Sequence, residues 1–330
     1  MEGVFLSYLG ELTPRSARPY LKLKDLDARV LHLQTHAIEK STTGGYSTGA
    51  HDYICFCLHH HLPLDPTPQT LSCYIAYTSL SIASAPKYLT GACHFLCNLF
   101  PEFDNNRASP SVQATIQGSK KVRADPVHRK QPIQIEHLSS FVDKARYTHS
   151  YDDFLFATIM SCSFYGCHQS SELILSSKKD FDWQKIIKRS SVYFSPGYAG
   201  YRLPYHKTDP FYRGTDILFS TQEVANLVSL LCEFVSTRDR VHGVRRALFL
   251  CEDGSHSSQA WFDSKLFSFV DKSFSGHSAR AGGATFYAAL GLSESVIMAL
   301  GCWSSEAWKI YIRDNPCIQA ALQLAALHLH

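Results

Sequence analysis

The chain has 330 residues, of which 45% are hydrophobic and 18% charged. That is too apolar for a disordered chain, and the length suits about two domains. No apolar run approaches the roughly 20 residues that a bilayer crossing needs, so no membrane partner is expected. The opening residues lack the pattern of a signal peptide, and the 11 scattered cysteines include no Cys-x-x-Cys pair. Both features argue against a secreted disulfide framework and for a reducing compartment.

The net charge of +3 is unevenly spread. Residues 120–130 carry Lys120, Lys121, Arg123, Arg129 and Lys130 against only Asp125. Residues 178–189 carry Lys178, Lys179, Lys185, Lys188 and Arg189 against Asp180 and Asp182, and the rest of the chain is net acidic. Concentrated positive charge points to a polyanion, so the five cations of 120–130 are candidate DNA-binding residues.

Residues 1–19 read as an extension. From about Asp25 to Leu99, apolar residues recur at helical spacing, as at Leu26, Val30, Leu33 and Ala37. Breaks are expected at Gly44-Gly45, Pro63–Pro68 and Ala85-Pro86, with Pro86 in the first turn of a helix. A short helix is expected over 111–118. The basic stretch contains Pro126 and is followed by Pro132, so 119–131 reads as a linker. Helices follow at about 136–146 and 151–175. Three short β-branched or aromatic runs at 191–194, 201–205 and 216–219 predict a small antiparallel sheet. Helices return at about 221–236, 262–273, 278–290, 293–300, 305–312 and 317–328. The expected fold is mainly α with a small antiparallel sheet, in two domains over 20–118 and 132–330.

The segment with the most chemistry is Gly276-His277-Ser278-Ala279-Arg280. His277 and Arg280 are three apart at a helix start, so they share a face beside free backbone amides. That arrangement suits a phosphate, which Arg280 can grip with two parallel hydrogen bonds and to which His277 can donate or from which it can move a proton. Gly291 stops that helix, Ser293 can cap the next, which Gly301 stops, and Ser304 or Ser305 caps a third that carries Tyr311. Tyrosine can attack phosphorus when nearby cations stabilise the equatorial oxygens.

His277-Ser278-Ala279-Arg280, Gly301-Cys302-Trp303 and Tyr311-Ile312-Arg313 together resemble the C-terminal signature of the tyrosine recombinases, the phage-integrase type. The wording from Trp303 to Arg313 looks most like the crypton-type members of fungi. The resemblance covers nearly the whole chain. It implies a helical core-binding domain over 20–118 and a catalytic domain over 132–330, closed as a clamp on double-stranded DNA. It also implies cutting and rejoining through a 3′-phosphotyrosyl link, with no metal, no cofactor and no small-molecule substrate. Tyr311 would be the nucleophile, Arg280 the second phosphate-holding arginine and His277 the proton-transfer histidine. Trp303 or its neighbour Cys302 would fill the family's His/Trp position. Lys207, in Pro204-Tyr205-His206-Lys207-Thr208, would be the hairpin lysine that protonates the leaving 5′-oxygen. The mobile-element resemblance carries with it an expectation of nuclear location.

One departure stands out. The family's first catalytic arginine falls in the stretch Gly166-Cys167-His168-Gln169-Ser170-Ser171-Glu172-Leu173, where Gln169 takes its place. Glutamine offers one neutral NH₂ where arginine offers a charged fork. Losing such a donor costs roughly 10²–10³ in rate, about 3–4 kcal/mol. His168 is the nearest substitute cation, although it lies about 100° around the helix, and Glu172 would orient its neighbours. The cluster Cys55, Cys57, His59, His60 and His61 matches no zinc spacing and reads as buried cysteines beside a polar helix end. Beyond Asn315 and Pro316 the tail to His330 is apolar nearly all round, so the helix 315–330 is expected either to pack on its own domain or to dock into a second copy on DNA.

Overall fold

The computed structural model describes residues 21–123, 129–175, 181–209 and 211–313. They are mostly helical, with one small sheet, and divide into two compact units between Val127 and His128. Among the described residues no helix is long and apolar enough to cross a membrane.

The first unit contains α1 (Leu23–Thr35), α2 (Lys40–His59), α3 (Pro68–Ser79), α4 (Ala85–Leu96), α5 (Phe103–Ala108) and α6 (Pro110–Arg123). Pro68 and Pro86 occupy first-turn positions, where a missing N–H costs nothing. Thr67 caps α3 by accepting from the Thr70 amide at 3.1 Å. The expected break at Gly44-Gly45 does not occur, because α2 runs straight through it. Two interior glycines cost a helix about 1 kcal/mol each, and packing offsets this. A methyl at Gly49 would sit 2.4 Å from the carbonyl oxygen of Tyr88, and one at Gly91 would sit 2.5 Å from that of Tyr46. Glycine thus lets α2 and α4 touch backbone to backbone. Around that crossing Tyr53, Phe56, Leu71, Tyr74, Leu89 and Phe103 form the core. The helix expected over 111–118 extends to Arg123, so Lys120, Lys121 and Arg123 lie on its last turn rather than in a linker. Lys120 and Lys121 are exposed, whereas Arg123 donates back to the Ser79 carbonyl at 2.8 Å.

The second unit is built round α8 (Tyr151–Tyr165), buried along almost its whole length. It is flanked by α7 (Ile135–Thr148), and the expected helix to residue 175 stops short at Gly166. A separate turn, α9 (Ser170–Leu173), follows. The sheet is β1 (Tyr193–Ser195), β2 (Tyr198–Leu203) and β3 (Thr215–Ser220), antiparallel in the order β1-β2-β3. Tyr201 lies opposite Ile217, and alternate residues Ala199, Tyr201, Leu203, Ile217 and Phe219 face the core. The remaining helices are α10 (Leu227–His242), α11 (Gln259–Phe267), α12 (Ser278–Ala289), α13 (Glu294–Leu300) and α14 (Lys309–Arg313). The helix expected over 221–236 is shifted because Asn226, whose side chain accepts from the Val228 and Ser229 amides, is the N-cap. The tail 315–330 lies outside the described residues.

α12 lies against α8 at close range. A methyl at Gly282 would fall 1.9 Å from the Ile133 carbonyl oxygen, and one at Gly283 would fall 2.0 Å from that of Phe164. This contact sets the position of α12 and of everything carried on its first turn.

Candidate functional site

The site assembles where α8 ends and α12 begins. Gly166 closes α8, and Cys167 adopts a left-handed conformation, φ +49°, that turns its carbonyl inward. That carbonyl accepts from Arg280 Nη1 at 2.7 Å. On the other side, α13 ends at Gly301, whose carbonyl accepts from Arg280 Nη2, also at 2.7 Å. Arg280 is thus held by two turns far apart in sequence and is only 4% exposed. Its Nε–H is buried without a protein partner.

The nearest counter-charge is Glu172, whose side chain is 8% exposed and whose Oε2 lies 4.0 Å from Arg280 Nη1. The same oxygen accepts from the Gln169 amide at 3.0 Å and meets His168 Nδ1 at 3.4 Å. Burial pushes the Glu172 carboxyl upward. The hydrogen bond and charge of His168, the charge of Arg280 and the Gln169 amide outweigh it and leave the pKa below the usual value. His168 is 2% exposed and turned into the core beside Glu172 and Tyr201, so it partners the carboxylate and is turned away from solvent. Gln169 is the N-cap of α9, half-buried, and its own amide is bound to Glu172.

His277 is the N-cap of α12 and is exposed, one turn before Arg280. Ser275 and Ser278 tie the turn together: the Ser275 amide donates to Ser278 Oγ at 2.9 Å, and the His277 amide to Ser275 Oγ at 3.3 Å. Partial burial lowers the His277 pKa below 6.5 and the Arg280 charge lowers it further, while Glu172 opposes both. Burial and the Arg280 charge both favour the neutral imidazole.

After Gly301, Cys302 is also left-handed, φ +50°, and the chain doubles back so that the Trp303 amide reaches the Met298 carbonyl at 2.9 Å. The Trp303 ring lies over the Arg280 guanidinium at 4.2 Å and meets the Tyr311 ring with centroids 6.2 Å apart. A methyl at Gly301 would strike the indole at 2.0 Å, so glycine makes room for that ring. Tyr311 sits half-buried on α14. Trp303 is the residue in contact with both Arg280 and Tyr311, and Cys302 contributes its carbonyl to the neighbouring hairpin.

That hairpin joins β2 to β3. Thr208 Oγ1 donates to the Cys302 carbonyl at 3.2 Å and contacts His206 Nδ1 at 2.8 Å. With the hydroxyl proton on Cys302, His206 Nδ1 donates to Thr208 Oγ1, and its Nε2 meets Thr215 Oγ1 at 3.0 Å. This relay fastens the turn to the segment that also carries Trp303. Lys207, between His206 and Thr208, is exposed.

Of the five basic residues in 120–130, Arg129 donates to the Ile310 carbonyl at 3.0 Å, next to Tyr311, and Lys130 to the Lys272 carbonyl at 2.6 Å. These two brace the second unit. Sequence reasoning missed the relay residues His206, Thr208 and Thr215 and the two carbonyls that seat Arg280. A histidine and a threonine two apart, flanking an exposed lysine, were the available signal for the relay. Carbonyls carry no side-chain signal at all. Among the described residues no group of three or more metal-ligating side chains is gathered.

The sequence matches no protein-family model and no curated protein. The fold does have solved counterparts. A lambda integrase fragment (residues 75–356), crystallised as a dimer bound to a COC′ core site, superposes with a TM-score of 0.51 at 13% identity, covering 88% of this chain and 95% of that one. The XerH site-specific recombinase, in its post-cleavage complex with a palindromic difH substrate, gives 0.50 at 12% identity, covering 80% of this chain and 71% of that one. A mainly helical chain with one three-stranded antiparallel sheet, matched over most of its length to these two proteins, has the fold of the tyrosine recombinases.

Proposed function

We propose that the chain binds duplex DNA and cuts and rejoins it through Tyr311. The observation that carries this reading is convergence on one indole. Trp303 touches both the Arg280 guanidinium and the Tyr311 ring, and the hairpin bearing Lys207 is hydrogen-bonded to the residue before it. Tyr311 Oη attacks the phosphorus, a P–Oη bond forms, and the bond from phosphorus to the 5′-oxygen breaks. His277 takes the phenol proton, Lys207 gives a proton to the leaving 5′-oxygen, and Arg280 stabilises the equatorial oxygens. Rejoining reverses each transfer. No metal or nucleotide cofactor enters these steps. Lys120 and Lys121 extend the contact with phosphates, and the tail 315–330 docks into a second copy on DNA. The wording from Trp303 to Arg313 further supports a crypton-type, mobile-element origin and a nuclear location.

Gln169 favours a second reading, in which the chain binds DNA but does not turn over. The test uses a nicked duplex that traps the covalent intermediate. A denaturation-resistant adduct that disappears in Tyr311→Phe supports strand cleavage. An adduct seen only in Gln169→Arg, roughly 10²–10³ above the parent, assigns the chain to binding without turnover. No adduct in either, with duplex still bound, removes the chemistry altogether.

A further inference from the structure

The loop between β2 and β3 is more elaborately built than a turn that only presents Lys207. Asp209 Oδ2 accepts from the Gly214 amide at 2.7 Å, and the Arg213 and Phe211 amides also bind this carboxylate. Together these bonds hold its pKa low. Tyr212 is left-handed, φ +54°, a conformation that side chains other than glycine rarely adopt. Its ring packs on Tyr205 at 5.3 Å, and Lys185 Nζ lies 4.4 Å over the opposite partner, Tyr205. Arg202 ties the base of the loop through Asp216 at 3.1 Å and the carbonyl of Arg213. Each of these contacts rigidifies the loop, yet Phe211 stays in solvent.

Phe211 is 75% exposed, the most exposed phenylalanine among the described residues. The Arg213 guanidinium lies 5.6 Å from its ring. A phenyl ring held in water contributes nothing to folding, and the strained backbone that holds it there is a cost. Around it stand Lys207 four residues before, Arg213 two after and Lys185 at the base of the loop, while the nearby carboxylates are engaged, Asp209 by the backbone amides and Asp216 by Arg202. An exposed apolar ring beside an arginine, on a two-stranded projection whose carboxylates are already bound, fits the minor groove of duplex DNA. Such side chains there enter base steps and open them, and arginine favours the groove's negative potential.

We infer that Phe211 inserts its ring edge into the minor groove of the bound duplex, at a base step beside the phosphate addressed by Arg280 and Tyr311. The inference rests on the DNA-binding reading above. Phe211 is a positioning residue: by opening the step it seats the groove on the loop that presents Lys207.

The test places p-benzoylphenylalanine at position 211 of the full chain and, as a control, at exposed Val244 of the same unit. Each protein is irradiated with a short mixed-sequence duplex. Cross-linking at 211, absent at 244 and suppressed by the minor-groove ligand distamycin, is the expected result. Equal labelling at both positions, or labelling indifferent to distamycin, overturns it. In filter binding, Phe211→Ala weakens duplex retention about tenfold at every salt concentration. The salt slope is unchanged, because an apolar contact releases no counterions. Arg213→Ala lowers the slope by about one. Phe211→Ala with parental affinity overturns the wedge and leaves DNA binding standing. A parent chain that retains no duplex at low salt overturns both.

Discussion

Replacing Glu172 with glutamine tests the electrostatic centre of the site without any assumption about DNA. The substitution keeps the size and one acceptor oxygen, so the Gln169 amide, now 3.0 Å from Oε2, can still be satisfied. The charge is lost. Arg280, 4% exposed, is then left without its nearby carboxylate, and His168 loses its partner at 3.4 Å. Removing one member of a buried pair outright costs about 3–5 kcal/mol. The 4.0 Å separation from Arg280 and the retained acceptor place Glu172→Gln nearer 2–3 kcal/mol on the same scale. Urea unfolding followed by tryptophan fluorescence reads the second unit alone, because Trp183, Trp261, Trp303 and Trp308 are the only four tryptophans and all lie there. With a slope of about 2–3 kcal/mol per molar, the midpoint falls by about 1 M at pH 7. The folded Glu172 pKa is lowered, so its stabilisation is full above the ordinary carboxylate range and disappears as pH falls through the folded value. Parent and variant curves therefore converge in acid. An unshifted midpoint at pH 7, or a gap that persists undiminished in acid, refutes the reasoning.

Three other outcomes are expected. Gly283→Ala forces a methyl to 2.0 Å from the Phe164 carbonyl oxygen and lowers the stability of the second unit by about 3 kcal/mol, measured by the same unfolding curve. The rate of adduct formation on a nicked duplex rises with pH through a range below 6.5, as the depressed imidazole of His277 loses its proton, and the limb vanishes in His277→Ala. A limb unchanged in that variant assigns the titration to another group. Thr208→Val, which removes the donor to the Cys302 carbonyl, slows adduct formation roughly ten- to hundredfold by loosening the Lys207 turn. It leaves the exposed loop's contribution to the urea midpoint nearly unchanged, and a parental rate would show that the relay does not position the lysine.

Much of this was legible in the residues. Helical spacing, first-turn prolines and the glycine-punctuated aromatic runs located most elements, because periodicity and turn chemistry are local signals. The boundaries that moved did so for non-local reasons. α2 continues through Gly44-Gly45 because its glycine-lined contact with α4 offsets the intrinsic cost, a fact invisible along one segment. α8 is buried on every side, so no amphipathic period marked where it would stop, and the left-handed Cys167 ends it instead. In the site, His277 and Arg280 were singled out by their spacing at a helix start, and Trp303 and Tyr311 by the resemblance of the segment that carries them. His168 was expected to turn about 100° from the Gln169 position, and it does face inward, but its pairing with Glu172 carried no separate signal in the sequence. The relay through His206 and Thr208 joins residues far apart in the chain, 94 positions in the case of Thr208 and Cys302.

The two glycines of α12, Gly282 against Ile133 and Gly283 against Phe164 of α8, have a consequence for the side chains of the candidate site. At Gly282 and Gly283, α12 approaches the main-chain carbonyls of Ile133 and Phe164 directly, and main chain neither rotates nor repacks. The guanidinium one turn away inherits that tolerance, and the indole resting on it and the phenol beyond inherit it in sequence. The accuracy of the whole assembly is therefore set by two absent methyl groups.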